Sequence, residues 1–407
     1  MNNRINELVN EDRLRIINGI NLIASENIPT DAIMSPVKSV LTGKYAEGDI
    51  YKRYYRGCTH INQIEKIVID NCKKAFRLND DYHINVQPYS GAIANLAVYT
   101  SCLNPGDKIL SLDLASGGHI THGAANTLAA KLYEFFFYGI DTEGNLLYDD
   151  IDILIRRLKP KLLIVGSSSL SRQIDFKKIY DITKKYDILV MADIAHYAGL
   201  VAAEEYNDPF PFSDFVTFTT HKTLRGPRGA VVVCRRSHAK DLDMAIFPGL
   251  QGGPFMNIIA SKGICFEEAQ TPDFVKYQKY VKRLSHTLCE GLKSRGWSII
   301  GNGTNTHMFI VKVDNGYTIS SHLEKYGIYV SPSLIPDDPM DSTVTSGIRI
   351  GTPWMSNFIY ENKNIHKIEN LLLDMLNSGL HGKDESLEKI KEITSEYDFK
   401  NHSWLKD

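Results

Sequence analysis

The chain has 407 residues, 43% of them hydrophobic and 23% charged, a balance that supports a large folded core and gives length enough for two domains. Its 46 basic and 48 acidic residues leave a net charge of −2, so no overall field favours nucleic acid or an anionic membrane as a partner. The cysteines (Cys58, Cys72, Cys102, Cys234, Cys265, Cys289) are scattered without close pairs. That spacing argues against a zinc site and a disulfide framework, so no metal is expected and each thiol reads as a small buried hydrophobe.

Residues 1–20 read as a polar amphipathic arm with Ile5, Leu8, Leu14, Ile16 and Ile17 as sparse apolar positions, the kind that packs on another subunit or across its own domain. Asn2, Asn3, Arg4, Asn6 and Glu7 precede any apolar block, unlike a signal peptide, and no apolar stretch is long enough to span a bilayer. A reducing cytoplasm is the expected setting. After Leu22 to Asn27 comes a loop from Leu41 to Cys58 that carries Tyr45, Glu47, Lys52, Arg53, Tyr54, Tyr55 and Arg56. So many aromatic and ionisable groups suggest a binding loop, with a solvated loop as the alternative.

From Ile84 to Val233 a short apolar run, a small-residue turn and a helical pattern alternate, as at Ile84–Val86 before Ser90-Gly91-Ala92, Ile109–Leu112 before Ser116-Gly117-Gly118-His119, and Leu162–Val165 before Gly166 to Ser169. This predicts a doubly wound α/β domain with its site at the carboxyl ends of the strands. Ser90-Gly91-Ala92 fits a phosphate resting on N–H groups at a helix start. The run Ile188–Ala192 ends in Asp193, an acid that needs a cationic partner at the end of a buried strand, unless it only caps a helix. Lys222 follows the β-rich run Asp214–Phe218 inside Thr219-Thr220-His221-Lys222-Thr223, with Gly226, Pro227 and Gly229 fixing the turn. A poorly solvated lysine there is a candidate nucleophile toward a carbonyl, and a solvated turn lysine is the competing reading. Asp193 and Lys222 together suit pyridoxal phosphate, whose ring nitrogen pairs with a carboxylate.

A helix-rich stretch runs from Asn257 to Arg295, broken at Pro272 and Asp273. Beyond Gly296, strands are expected at Trp297–Ile300, Met308–Val313 and Ile328–Val330, with helices around Ile319–Lys325 and Ile365–Leu376 and a charged surface helix over Glu385–Tyr397. Arg349, on a strand running into Gly351-Thr352-Pro353, suits bidentate capture of a carboxylate or a structural salt bridge. The expected division is an arm (1–20), a large domain (21–270) and a smaller α+β domain (271–407).

These stretches together resemble the serine hydroxymethyltransferase family: Leu22-Ile-Ala-Ser-Glu-Asn27, Tyr45-Ala-Glu-Gly48, Lys52-Arg-Tyr-Tyr55, Gly117-Gly-His-Ile-Thr-His-Gly123, Ala192-Asp-Ile-Ala-His196, Thr219 to Gly229, Phe247 to Pro254 and Thr345 to Pro353, in order from about residue 14 to residue 376. The resemblance implies a fold-type-I pyridoxal-phosphate enzyme with a mostly parallel sheet and a smaller α+β domain, acting as a homodimer with shared sites. It implies that Lys222 binds the cofactor covalently, Asp193 meets the ring nitrogen, His119 stacks on the ring, and His196 and Ser168 sit near the ring hydroxyl. Ser90, Gly91, Ala92 and His221 would complete the cofactor site, and Tyr45 with Gly252-Gly253 would reach the neighbouring subunit's cofactor. Arg349 and Ser25 would bind the amino-acid carboxylate, and Glu47 would move the proton of the substrate hydroxyl with Tyr55 and Thr219 beside it.

The chain departs from the family pattern in one direction. Tyr89-Ser90-Gly91-Ala92-Ile93 stands for His-Ser-Gly-Ser-Gln, Asp49-Ile50-Tyr51 for Tyr-Pro-Gly, and Arg56 for a glycine. Ser116 stands for a histidine and Leu170 for an aromatic residue. On the pterin side Ser331-Pro332-Ser333 stands for Asn-Lys-Asn and Ser342-Thr343 for Pro-Phe. Three readings follow: a folate-independent aldolase or transaldolase that passes glycine to an aldehyde, a glycine/serine hydroxymethyltransferase using tetrahydrofolate as one-carbon acceptor, and a non-catalytic paralogue. The departures favour the first, while Lys222, Asp193, Glu47 and Arg349 speak against the last.

Overall fold

The computed structural model describes residues 3–338, 345–384 and 387–406. Helix α1 (Arg4–Ile17) buries no residue, leaving Ile5 77% and Val9 63% exposed. Helix α2 (Thr59–Ala75) buries Ile61, Val68, Cys72 and Ala75. Strand β1 (Tyr82–Asn85) leads through Pro88 to α3 (Gly91–Cys102), whose N-cap is Ser90. Then come β2 (Lys108–Leu112), β3 (Glu134–Tyr138), β4 (Leu162–Gly166), β5 (Leu189–Asp193), β6 (Phe215–Thr219) and β7 (Ala230–Arg235).

These seven strands form one sheet in the order β1-β7-β6-β5-β4-β2-β3. The run β6-β5-β4-β2-β3 is parallel, and β7 lies antiparallel to both β6 and β1. Alternate residues enter opposite faces, as strand geometry demands. Leu163, Val165, Val190, Ala192 and Val216 pack on one face, whereas Leu162, Ile164, Met191 and Phe215 pack on the other. Burial on both faces explains why these strands are continuous apolar runs.

Helix α4 (Met256–Glu268) crosses α2 closely, because a Cβ on Gly263 would lie 2.7 Å from Val68 Cγ2. Helix α5 (Pro272–Ser294) joins two cores: Phe274, Tyr277 and Val281 pack with the sheet, while Tyr280, Leu284 and Leu288 pack in a separate core. That core also holds Ile20, Leu22 and Ile28, together with residues from β8 (Met308–Lys312), α6 (Gly316–Lys325), β10 (Gly347–Gly351) and α7 (Ile365–Leu380). A three-stranded antiparallel sheet runs in the order β9-β10-β8, with β9 spanning Ser331–Ser333.

Some local expectations are corrected. Trp297–Ile300 forms no strand but one bridge, Ile299 to Val311, because Gly301 and Gly303 at φ +72° and +145° turn the chain away. After β2 the chain makes a turn and a short 3₁₀ helix (Ile120–His122), with Gly117 and Gly123 both at positive φ. The last helix, α8 (Leu387–Thr394), is anchored by buried Ile390 and Ile393, so it is not simply a surface helix. Glu385 at its expected start, and Ser342-Thr343, lie outside the described residues. Among the described residues no helix is long and apolar enough to cross a membrane.

Candidate active site

The parallel strands deliver their chemistry at their carboxyl ends. Asp193 closes β5, where its Oδ2 accepts from Asn95 Nδ2 at 2.8 Å and from His122 Nε2 at 2.9 Å, and its Oδ1 from the Ala195 N–H at 3.0 Å. Thr217 Oγ1 donates to Asn95 Oδ1 at 2.7 Å, which aims the amide N–H at the carboxylate. Burial works against ionisation of Asp193, but His122, His119 and Asn95 outweigh it and hold the carboxyl well below the usual range. His122 Nδ1 accepts from the His119 N–H at 3.3 Å, which assigns its proton to Nε2.

Lys222 stands in the turn after β6. Thr220 Oγ1 donates to the Pro227 carbonyl at 2.6 Å, Thr223 Oγ1 to the His196 carbonyl at 2.8 Å, and Asn27 Nδ2 to the Lys222 carbonyl at 2.7 Å. The side chain makes no hydrogen bond or ion pair among the described residues. Desolvation lowers its pKa to about 8, with Asp193 opposing the shift and Arg349 and Arg228 adding to it. His221 beside it is also desolvated, its pKa lowered to about 3, and its buried Nδ1 has no partner.

The α3 N-terminus lies against the same turn: a Cβ on Gly91 would sit 2.8 Å from Thr219 Cγ2, so the close approach needs glycine. Ser90 Oγ accepts from the Ile93 N–H at 3.3 Å, capping the helix and leaving the N–H groups around Gly91 and Ala92 at its positive end. From below, Lys262 of α4, 1% exposed, donates to the carbonyls of Val86 (2.8 Å), Pro88 (3.2 Å) and Ala230 (2.8 Å). It ties the approach to α3 to the strand that follows the Lys222 turn.

Arg349 comes from the small sheet. Its Nη1 donates to the Ser168 carbonyl at 2.8 Å and, more weakly, to Ser169 Oγ at 3.4 Å, while its Nε is buried without a partner. Burial lowers its pKa to about 10, and no carboxylate of the described chain pairs with it. Ser168 Oγ donates to the Gly118 carbonyl at 3.1 Å. Ser25 follows a segment docked on the same strand, where the Gly351 N–H donates to the Leu22 carbonyl at 2.8 Å. His119, desolvated to about 4, accepts on Nδ1 from the Thr121 N–H at 3.2 Å.

Tyr45, Glu47, Tyr55, Gly252 and Gly253 form a second group. A Cβ on Gly253 would lie 3.1 Å from Tyr45 Cδ1, and one on Gly252 would lie 3.5 Å from Glu47 Oε1. The Tyr45 and Tyr55 rings are 5.2 Å apart, and Tyr89 OH donates to the Gly253 carbonyl at 2.7 Å. Arg53 Nη1 donates to the carbonyls on both sides of Glu47, Ala46 at 2.7 Å and Gly48 at 2.6 Å. Thr219 Oγ1 donates to the Ala195 carbonyl at 3.2 Å rather than to this group. A cleft of about 600 Å³ beyond the loop, lined by Asp49, Tyr51, Tyr54 and Lys73, includes none of Lys222, Asp193 or Arg349.

The family model for serine hydroxymethyltransferase matches residues 1–372 of this chain. The chain belongs to the serine hydroxymethyltransferase family. Members are pyridoxal-phosphate-dependent enzymes of fold type I, consistent with the seven-stranded α/β sheet described above. The residues present fit that cofactor: an ionised buried acid, a desolvated lysine without a partner among the described residues and a helix start opened by Gly91 converge at the carboxyl ends of the interior strands β5 and β6. The unpartnered Nε of Arg349 fits an anionic amino acid in the same way.

In this serine hydroxymethyltransferase-family chain, sequence reasoning passed over His122, Asn95, His307, Asn27 and Lys262. His122 and Asn27 lie inside the segments Gly117–Gly123 and Leu22–Asn27, and the spacing of His122 from His119 is its signal in the sequence. Asn95, His307 and Lys262 act only through contacts between distant segments.

Proposed function

We propose that the chain makes and breaks the Cα–Cβ bond of a β-hydroxy-α-amino acid and passes glycine to an aldehyde without tetrahydrofolate. The observation that carries the first part is Arg349: a partly buried guanidinium whose Nε is buried without a partner, and which meets no carboxylate among the described residues, calls for an anionic substrate group. When bound, pyridoxal phosphate supplies an electron sink for negative charge at Cα. Lys222 would hold the cofactor covalently and Asp193 would hold the ring-nitrogen proton. His119 would stack on the ring, and Ser168 and His196 would flank its hydroxyl. Ser90, Gly91, Ala92 and His221 would hold the phosphate side. Arg349 and Ser25 orient the amino acid.

Glu47, with Tyr55 beside it, takes the proton of the β-hydroxyl as the Cα–Cβ bond breaks. The bonding pair stays at Cα and the aldehyde leaves; a second aldehyde enters by the reverse steps. Thr219 lies on the cofactor side. Glu47, Tyr45 and Gly252-Gly253 serve the neighbouring subunit of a homodimer.

The reading of the acceptor is supported by β9. Ser331 pairs with Arg349 and Ser333 with Gly347, so this segment flanks the substrate strand. Ser333 Oγ donates to the Leu334 carbonyl at 3.1 Å, and Pro332 has no N–H. Replacing a side-chain amide here removes a hydrogen bond to a buried heterocycle, roughly 1–3 kcal/mol, or about 5- to 150-fold in affinity.

The test is turnover of threonine and serine with and without tetrahydrofolate. Threonine cleavage and aldehyde exchange indifferent to tetrahydrofolate are expected. Fast serine cleavage that requires micromolar tetrahydrofolate would establish the hydroxymethyltransferase reading instead, and no turnover of either would leave the paralogue.

A further inference from the structure

We infer that His307 is a positioning residue that fixes the proton of His196 on Nε2, so that His196 presents an N–H donor to the cofactor ring. The inference rests on the site reading above and concerns a residue that reading does not use.

His307 precedes β8, in a turn where Thr304 Oγ1 donates to the Met308 carbonyl at 2.6 Å. Its side chain is fully buried, and its Nε2 lies 3.3 Å from His196 Nδ1, with the two rings inclined by 26°. One proton serves that hydrogen bond, and either ring could supply it. The other nitrogen decides: His307 Nδ1 is buried and has no partner. A proton there would be an orphaned N–H, whereas a bare lone pair costs less. The His307 proton therefore sits on Nε2 and is donated to His196 Nδ1, which leaves the proton of a neutral His196 on its own Nε2.

Both rings are neutral, because burial and the facing cations Lys222 and Arg349 disfavour imidazolium; His307 is lowered to about 3 and His196 well below the usual range. His196 Nε2 makes no hydrogen bond among the described residues. The His196 backbone is pinned by Thr223 Oγ1, which also accepts the Gly199 N–H at 3.0 Å. His307 is adjacent to the strand pair that carries Arg349, in which Met308 opposes Gly351 and Ile310 opposes Arg349. The strand paired with that of Arg349 thus also begins beside the residue that orients His196.

The experiment is nitrogen NMR of histidine-labelled protein, first without cofactor. The wild-type should show both His196 and His307 as Nε2–H tautomers. His307→Leu should let the His196 signals move toward the other tautomer and should shift the visible band of the cofactor-loaded protein. His307→Gln, whose amide can still donate, should restore both. An Nδ1–H tautomer on either wild-type ring, or unchanged His196 signals in His307→Leu, would overturn the inference. If wild-type tautomers are as stated but the protein binds no pyridoxal phosphate, the site reading fails, and with it the cofactor-facing half of this inference. Wrong tautomers beside normal cofactor binding overturn the inference alone.

Discussion

Arg349 and Lys222 both keep a charge or its precursor away from water without an internal counter-ion, and each makes a distinct prediction. A buried cation whose partner is a ligand costs stability in the free protein, so Arg349→Gln should leave the melting temperature of the free protein unchanged or raise it. The same change should raise KM for the amino acid by about a hundredfold, since a charge-assisted bidentate contact is lost. A drop of many degrees with KM intact would mark Arg349 as structural. For Lys222 the nucleophile is the free amine, and its pKa is about 8. Cofactor loading of the free protein should therefore accelerate as pH rises through about 8. The unfolded chain keeps this lysine protonated up to about 10.4, so between the two values it binds more protons than the folded chain and the group's contribution to stability rises with pH. A loading rate flat from pH 7 to 9 would contradict the assignment.

At the scale of elements, buried ionic and polar contacts join segments that the main sheet alone would not fix. Arg53 Nη2 meets Glu65 Oε2 with both side chains nearly fully buried, 3% and 4% exposed, and Gln87 Nε2 donates to Glu65 Oε1 at 2.7 Å. The loop carrying Glu47 is thereby tied to α2 and to the strand leading into α3. Glu65→Leu strands the guanidinium and should cost roughly 3–5 kcal/mol by denaturant unfolding; a loss under about 1 kcal/mol would show the pair to be dispensable. Lys262→Met should weaken cofactor binding at least tenfold while the far-ultraviolet circular dichroism stays native, because the carbonyls of Val86, Pro88 and Ala230 lose their shared donor. Unaltered affinity would refute that role.

These contacts also show where sequence stops informing. Asp193, Lys222 and Arg349 were legible because the first ends, the second follows and the third sits within a short run whose apolar pattern is local. The helix break at Pro272 was legible from proline chemistry. Lys262 reads as an ordinary helical lysine until tertiary packing brings three carbonyls to it. His307 looks like a polar turn residue until folding brings the turn before β8 against His196, beyond the end of β5. Trp297–Ile300 has the composition of a strand, but the positive-φ glycines after it decide otherwise.

Taken whole, the residues proposed to hold the cofactor gather around Lys222 and those proposed for proton transfer gather around Glu47, and no hydrogen bond or ion pair joins Lys222 to Glu47 among the described residues. Tyr45 is 57% and Tyr55 41% exposed, and Ile5, Leu8 and Val9 of helix α1 are exposed, as expected of surfaces completed by a second copy. The central claim is that each working site combines Lys222 of one subunit with Glu47 of the other. The direct measurement mixes two inactive proteins, Lys222→Ala and Glu47→Gln, under conditions where subunit exchange is verified, and follows threonine cleavage. A mixed dimer then holds one site free of both substitutions, and activity should return to as much as about a quarter of the wild-type value for equal mixing, since half the dimers are mixed and each has one intact site. Activity that stays at the level of the separate variants after complete exchange would contradict the claim and place both groups in one self-contained site.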